Sequence, residues 1–142
     1  MSWSHLLVAV APAPESRFLV NKAVALARPL NARISLITFA PDPEIYNQFA
    51  APMLENMREL VLEETRDFLA GLIRDAKYPI NEAIVATGEL GEHIRHFCQQ
   101  QKVDLVICGN HNKSLIARTL CSAKIIVADS QVDALLVSLP EH

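Results

Sequence analysis

The feature that most constrains the fold is a series of short, mostly apolar runs separated by segments of helical periodicity. The runs cover residues 6–11, 34–40, 80–87, 104–109 and 134–139. A strand that is apolar at nearly every position is typical of a parallel sheet that is covered on both faces. We therefore predict five parallel strands with helices packed on both sides of the sheet.

Four helices are predicted between these runs, over residues 15–30, 52–76, 89–101 and 115–128. In the first of them, apolar side chains recur at the spacing of a single helical stripe. Pro29 lies in its last turn, so we expect this helix to end or kink just before Pro29. The stripe consists of Leu19, Ala23, Leu26 and Leu30.

Strand and helix alternate through the whole chain, which favours a doubly wound α/β domain with right-handed crossovers. We predict a Rossmann-like parallel sheet with the strand order 3-2-1-4-5. A chain of 142 residues is long enough to bury the core of one such domain. No internal repeat or low-complexity tract divides it, so residues 1–142 are interpreted as a single domain.

Charge and composition exclude several classes of function. The 13 Lys and Arg residues are outnumbered by 16 Asp and Glu residues, and the net charge is −3. Binding to nucleic acid normally requires a basic face, so no nucleic-acid partner is expected. The first residues contain no basic segment followed by a long apolar one, so neither a signal peptide nor a membrane span is expected.

Three cysteines are present, an odd number without paired metal-ligand spacing. This favours reduced thiols and a cytoplasmic location. Cys98 and Cys108 lie on apolar segments and are interpreted as core residues. Cys121 lies near Lys124, which leaves a redox-sensing thiol open as an alternative to simple packing.

Neither a metal site nor a catalytic site is predicted. His93 and His96 share one face of a helix and His111 lies in a loop, whereas a metal site needs three or four ligands that converge. We interpret these histidines as solvated side chains. No motif that activates a nucleophile is present, and the chain is not expected to be an enzyme.

Several segments, in this order, resemble the universal stress protein family over nearly the whole chain. They are the opening strand followed by Pro14-Glu15-Ser16, the loop Gly88-Glu89-Leu90, the segment from Asp104 to Asn112, and the closing stretches Cys121 to Lys124 and Leu135 to Pro140. The resemblance is strongest to the short enterobacterial paralogues of universal stress protein A. It implies the doubly wound fold predicted above.

The resemblance also implies where a nucleotide would bind in some relatives. Those relatives have the pattern G-x-x-G-x9-G-[S/T] after the fourth strand, in which glycines allow backbone N–H groups to close around phosphates. Here the four pattern positions are Gly109, Asn112, Ser122 and Ala123, so two glycines and the hydroxyl are missing. Ala11 stands at the end of the first strand, where nucleotide-binding relatives carry an aspartate. No cofactor is therefore expected.

The same resemblance implies a role in survival under stress such as starvation, DNA damage or osmotic shock, through contact with a client protein that the sequence does not identify. The alternative is an ATP-binding switch with weak hydrolysis or autophosphorylation. The apolar last strand is expected at an edge of the sheet, where its unpaired backbone invites another chain. We expect a homodimer through Ala134 to Leu139, with heterodimers of paralogues also allowed.

Overall fold

The apolar runs form five parallel strands in the computed structural model, which describes residues 3–10, 15–39, 51–86, 90–110 and 132–138. Among the described strands, the order in the sheet is β3-β2-β1-β4-β5, and every neighbouring pair is parallel. The predicted strand order is confirmed. The strands are β1 (His5–Val10), β2 (Arg33–Phe39), β3 (Ile80–Ala86), β4 (Leu105–Asn110) and β5 (Asp133–Ser138).

Three helices are found in the described part of the chain: α1 (Ser16–Leu30), α2 (Ala51–Ala76) and α3 (Leu90–Gln101). The helix predicted over residues 115–128 lies outside the described residues. Strands β1, β2 and β5 begin one residue earlier than predicted, and β4 begins one residue later. In the described residues no helix is both long enough and apolar enough to cross a membrane.

The sheet separates two apolar cores, which explains why its central strands are apolar at successive positions. On one face, Leu6 and Val8 of β1 pack with buried side chains of α1 and α2. On the other face, Leu7 and Ala9 pack with Ile94, Phe97 and Cys98 of α3. Successive side chains of a strand point to opposite faces, so β1 contributes to both cores.

Of the two predicted outcomes at Pro29, an end of the helix is wrong, because α1 continues through Pro29 to Leu30. Proline lacks the N–H that would donate to the carbonyl of Ala25 one turn earlier, so one intrahelical hydrogen bond is missing while the helical turn continues. Asn31 then adopts a left-handed conformation, with φ of 52°. The N–H of Ala32 donates to the carbonyl oxygen of Ala27 at 3.1 Å and that of Asn31 to Arg28 at 3.2 Å, which satisfies carbonyls that the helix end exposes.

A carboxylate joins the amino ends of β1 and β4. Asp104 Oδ2 accepts hydrogen bonds from Ser4 Oγ at 2.6 Å, from Ser4 N at 2.8 Å and from His5 N at 3.1 Å. The hydrogen bond from the Ser4 side chain is the largest cause that lowers the pKa of Asp104 below its ordinary value. At the same end, Trp3 Nε1 donates to Asp133 Oδ2 at 2.9 Å and so ties β5 to the residues that precede β1.

His5 is fully buried between β1, β2 and the end of α3. Its Nδ1 lies 3.0 Å from the carbonyl oxygen of Gln101, and its Nε2 lies 2.7 Å from Ser35 Oγ. A carbonyl oxygen can only accept, so Nδ1 carries a proton and donates to Gln101, while Nε2 forms its hydrogen bond with the Ser35 hydroxyl. The imidazole therefore has both ring nitrogens satisfied inside the core.

Candidate functional site

The strand order defines one place where a crevice can open at the sheet. From β1 the chain moves outward to β2 and β3, and it then returns to the other side of β1 to form β4 and β5. The strand that follows β1 in the chain therefore lies on one side of it, and the strand that follows β4 lies on the other. In doubly wound sheets, ligands bind beyond the carboxyl ends of the strands at such a switch point, so the candidate site lies beyond Val10 and Asn110.

Of the residues predicted for this site, the structure describes Gly109. It is buried in β4, where it pairs in register with Val137 of β5. Ala11, Asn112, Ser122 and Ala123 lie outside the described residues. The structure therefore locates Gly109 near the carboxyl end of β4, beside the switch point.

Thr38 is a polar residue of this region that sequence analysis did not single out. It is fully buried in β2, beside the end of β1. Its hydroxyl donates to the carbonyl oxygen of Val10 at 2.7 Å, directly before Ala11. The signal in the sequence is a hydroxyl residue near the carboxyl end of β2, between the apolar residues Ile37 and Phe39. Its effect is to fix the end of β1 against β2.

Ionisable side chains lie at the other end of the sheet. The described strands end at Val10, Phe39, Ala86, Asn110 and Ser138, none of which is ionisable. By contrast, His5, Asp104 and Asp133 all lie at the amino ends of strands and are engaged in the hydrogen bonds given above. Among the described residues, the carboxyl edge offers no charged side chain from a strand end to a ligand.

The two described cysteines are poor nucleophiles. Burial raises the pKa of the Cys98 thiol to about 11. Burial, together with repulsion from Cys98, raises the pKa of Cys108 to about 12. Both thiols are therefore protonated at neutral pH and unreactive, and their interpretation as core residues is confirmed. Cys121 lies outside the described residues.

The histidines of α3 do not assemble with other ligands in the part of the chain that the structure describes. His93 and His96 are both exposed. No group of three His, Cys, Asp or Glu side chains that could hold a metal ion occurs among the described residues. His111 lies outside them.

Strand β5 presents a second candidate site. Leu135 is 40% exposed and Leu136 is 47% exposed. They pair in register with Ile107 and Cys108 of β4, which belong to opposite cores, so the two leucines point to opposite faces of the sheet. Both faces of this edge strand thus carry apolar surface, although Val137 beside them is buried.

The parallel order β3-β2-β1-β4-β5, with helices on both faces, defines a doubly wound α/β protein of the Rossmann-like class. The sequence profile of the universal stress protein family matches residues 2–134. The chain belongs to the universal stress protein family.

Individual relatives agree with this assignment. Universal stress protein C of Salmonella typhimurium is 57% identical over 139 residues, which cover 98% of each chain. Universal stress protein A of the same organism is 36% identical over 143 residues, covering 100% of this chain and 99% of the relative. The resemblance to the paralogues of universal stress protein A is confirmed.

The fold has solved counterparts. One is a universal stress protein in complex with cAMP, with a TM-score of 0.60 and 22% identity over 96% of this chain and 98% of that one. This likeness supports the fold alone. The family assignment supports a role in the response to stress.

Proposed function

We propose that the protein promotes survival under stress by protein–protein contact, as a cytoplasmic homodimer and without catalysis or nucleotide binding. The observation that carries the proposal is the apolar surface on both faces of β5. An edge strand with exposed backbone and apolar side chains pairs readily with a second chain. A two-fold interface uses the same surface twice, so Leu135 and Leu136 of both copies would be covered together.

The two edges of the sheet differ in a way that favours β5 as the pairing edge. β3 is interrupted by a shift of register next to Ile80 and carries the exposed carboxylate of Glu82. Irregularity and charge are the features that protect an edge strand from association. Within β5, Asp133 is the charged residue, and its carboxylate accepts the hydrogen bond from Trp3. Homodimers and heterodimers with paralogues are both compatible with pairing of this kind.

The first prediction concerns dimerisation. Replacing Leu136 by lysine should raise the dissociation constant of the homodimer at least tenfold, because each of two copies loses apolar burial worth roughly 1 kcal/mol or more. Sedimentation equilibrium measures the constant. Leu60→Lys is the matched control, since Leu60 is 55% exposed on α2, and it should leave association unchanged. A wild-type protein that is monomeric at micromolar concentration would contradict the proposal.

The case against nucleotide binding comes from the sequence of the candidate site. Ala11 offers no carboxylate, and Asn112 and Ser122 place side chains where nucleotide-binding relatives have bare backbone. Ala123 lacks the hydroxyl of the pattern. Each good charge-assisted hydrogen bond that is lost costs about 1.5–3 kcal/mol, so two or three losses weaken a micromolar site to millimolar.

The second prediction is that ATP binds weakly or not at all in titration calorimetry. Restoring the pattern with Asn112→Gly, Ser122→Gly, Ala123→Ser and Ala11→Asp should increase the affinity. A dissociation constant below about 10 μM for the wild-type protein, equivalent to roughly −7 kcal/mol, would contradict the prediction.

A nucleotide-dependent switch is the second candidate function. It is favoured by one observation, that the solved universal stress protein described above is a complex with cAMP. Calorimetry with cAMP, run beside the ATP titration, separates the two candidates. Nucleotide that co-purifies with the wild-type protein would support the switch, with weak hydrolysis or autophosphorylation as the activity to measure next.

A further inference from the structure

The outward side of α1 differs in charge from the rest of the chain. Arg17, Phe18, Lys22, Ala25 and Arg28 are exposed on it, and we call these five residues the α1 outer face. The other side of the helix is buried in the core. The helix contains three basic residues and no acidic one, whereas the whole chain has more acidic than basic residues. Positive charge is thus concentrated on one exposed helical face.

Arg28 is held in place at one end of this face. Its Nη2 donates to the carbonyl oxygen of Lys77 at 3.1 Å, and its guanidinium carbon lies 5.5 Å from the centre of the Tyr78 ring. A hydrogen bond and a cation–π contact of this kind reduce the conformational entropy that an arginine loses on binding. The contact also brings exposed Lys77 next to the face, which extends its positive charge beyond α1.

The other end of the face combines an aromatic side chain with a weakly engaged arginine. Phe18 is 53% exposed and follows Arg17 directly. Arg17 lies 3.7 Å from Asp75, and both side chains are more than half exposed. An exposed ion pair of this kind contributes little to stability, so Arg17 can exchange Asp75 for another carboxylate at small cost.

We infer that the α1 outer face binds an acidic segment of a partner protein. Carboxylates of the partner meet Arg17, Lys22 and Arg28, and an apolar side chain of the partner packs on Phe18. Aromatic residues and arginine are enriched in protein interfaces, and complementary charge steers association. The inference rests on the proposed function through protein contact, and it names a surface and a partner chemistry that the β5 edge does not supply.

The test uses a short fluorescein-labelled peptide of aspartate, glutamate and leucine as the probe, with fluorescence anisotropy near physiological ionic strength. Lys22→Glu should weaken binding about tenfold. Lys102→Glu is the matched control: it makes the same charge reversal at an exposed lysine at the end of α3, which packs on the opposite face of the sheet. The affinity of Lys102→Glu for the peptide should stay within about twofold of the wild-type value, because salt screens exposed charges beyond roughly 8 Å.

A second pair of variants tests the apolar contact. Phe18→Ser should weaken binding severalfold, whereas Leu60→Ser, at a side chain of nearly equal exposure, should not. Circular dichroism establishes that each variant is folded, and amide chemical shifts of residues 16–30 should move on addition of the peptide. Equal losses for Lys22→Glu and Lys102→Glu, or no binding by the wild-type protein, would overturn the inference.

Two further probes exclude other anionic partners. A single-stranded oligonucleotide and phosphatidylserine vesicles should bind more weakly than the peptide, and binding of either as tightly as the peptide would also overturn the inference. The variant Leu136→Lys, measured at a protein concentration at which it is monomeric, separates this inference from dimerisation. If this variant still binds the peptide, the α1 outer face binds it without the dimer, which supports the inference. If it no longer binds the peptide, binding requires the dimer and the inference is refuted.

Discussion

Replacing Ile107 by alanine is expected to lower the free energy of unfolding by about 3–4 kcal/mol. Ile107 is fully buried in β4, where it pairs with Val8 of β1 and Leu135 of β5. It belongs to the core formed with α1 and α2. Truncation removes the buried methyl and methylene groups and leaves a cavity that close-packed neighbours on adjacent strands cannot fill.

Urea denaturation measures this effect, with circular dichroism as the probe and the protein concentration held constant, because a dimer becomes more stable as concentration rises. Ile107→Val is a milder substitution at the same position and should lower the free energy of unfolding by about 1 kcal/mol. Leu60→Ala, at an exposed side chain, should cost less than about 0.5 kcal/mol. A loss below about 1 kcal/mol for Ile107→Ala would mean that β4 is not a closely packed central strand.

The fold could be predicted because the signals that define it are local and repeated. Each central strand is apolar at successive positions, and this pattern results directly from burial on both faces of a parallel sheet. Strand ends were less well predicted. The first predicted run starts at residue 6, yet β1 starts at His5, whose ring nitrogens are satisfied by Ser35 and the carbonyl of Gln101. Partners so distant in sequence leave no periodic signal.

The candidate site could be located but not built from the sequence. The strand order places the switch point between β1 and β4, and Gly109 lies near the carboxyl end of β4. Thr38 was missed because its role depends on the carbonyl of Val10 in the neighbouring strand. The predicted edge strand was correctly located, but which face of the sheet Leu135 and Leu136 each take depends on their register with β4. Periodicity within one strand cannot supply that register.

A second large loss of stability is expected when Asp104 is replaced. Asp104 was predicted as the first residue of a strand, but it precedes β4 and connects that strand to β1. One carboxylate oxygen accepts three hydrogen bonds, from Ser4 Oγ, Ser4 N and His5 N. Replacement by alanine leaves these donors without this acceptor and should lower the free energy of unfolding by about 2 kcal/mol at neutral pH, since bonds to a charged group are strong but this site is partly solvated.

The effect of Asp104 should depend on pH in a defined direction. The Ser4 hydrogen bond is the main cause that holds the pKa of Asp104 below its ordinary value in the folded protein. Its ionised form therefore stabilises the fold fully above the ordinary pKa of aspartate, near 3.9, and this contribution is lost as the pH falls through the lower pKa of the folded state. The difference in stability between wild type and Asp104→Asn should consequently be largest at neutral pH and should shrink in strong acid.

Urea denaturation across the acid range measures this dependence, and fluorescence of Trp3 is a suitable probe because Trp3 is the chain's only tryptophan and lies at the same end of the sheet. Asp75→Asn is the matched control. It removes a carboxylate whose exposed ion pair with Arg17 spans 3.7 Å, and it should cost at most about 1 kcal/mol. If Asp104→Asn and Asp75→Asn gave parallel curves of stability against pH, the stabilising role of the Asp104 hydrogen bonds would be refuted. If they diverge toward neutral pH, the junction of β1 and β4 depends on an ionised carboxylate, at the end of the sheet opposite to the candidate binding site.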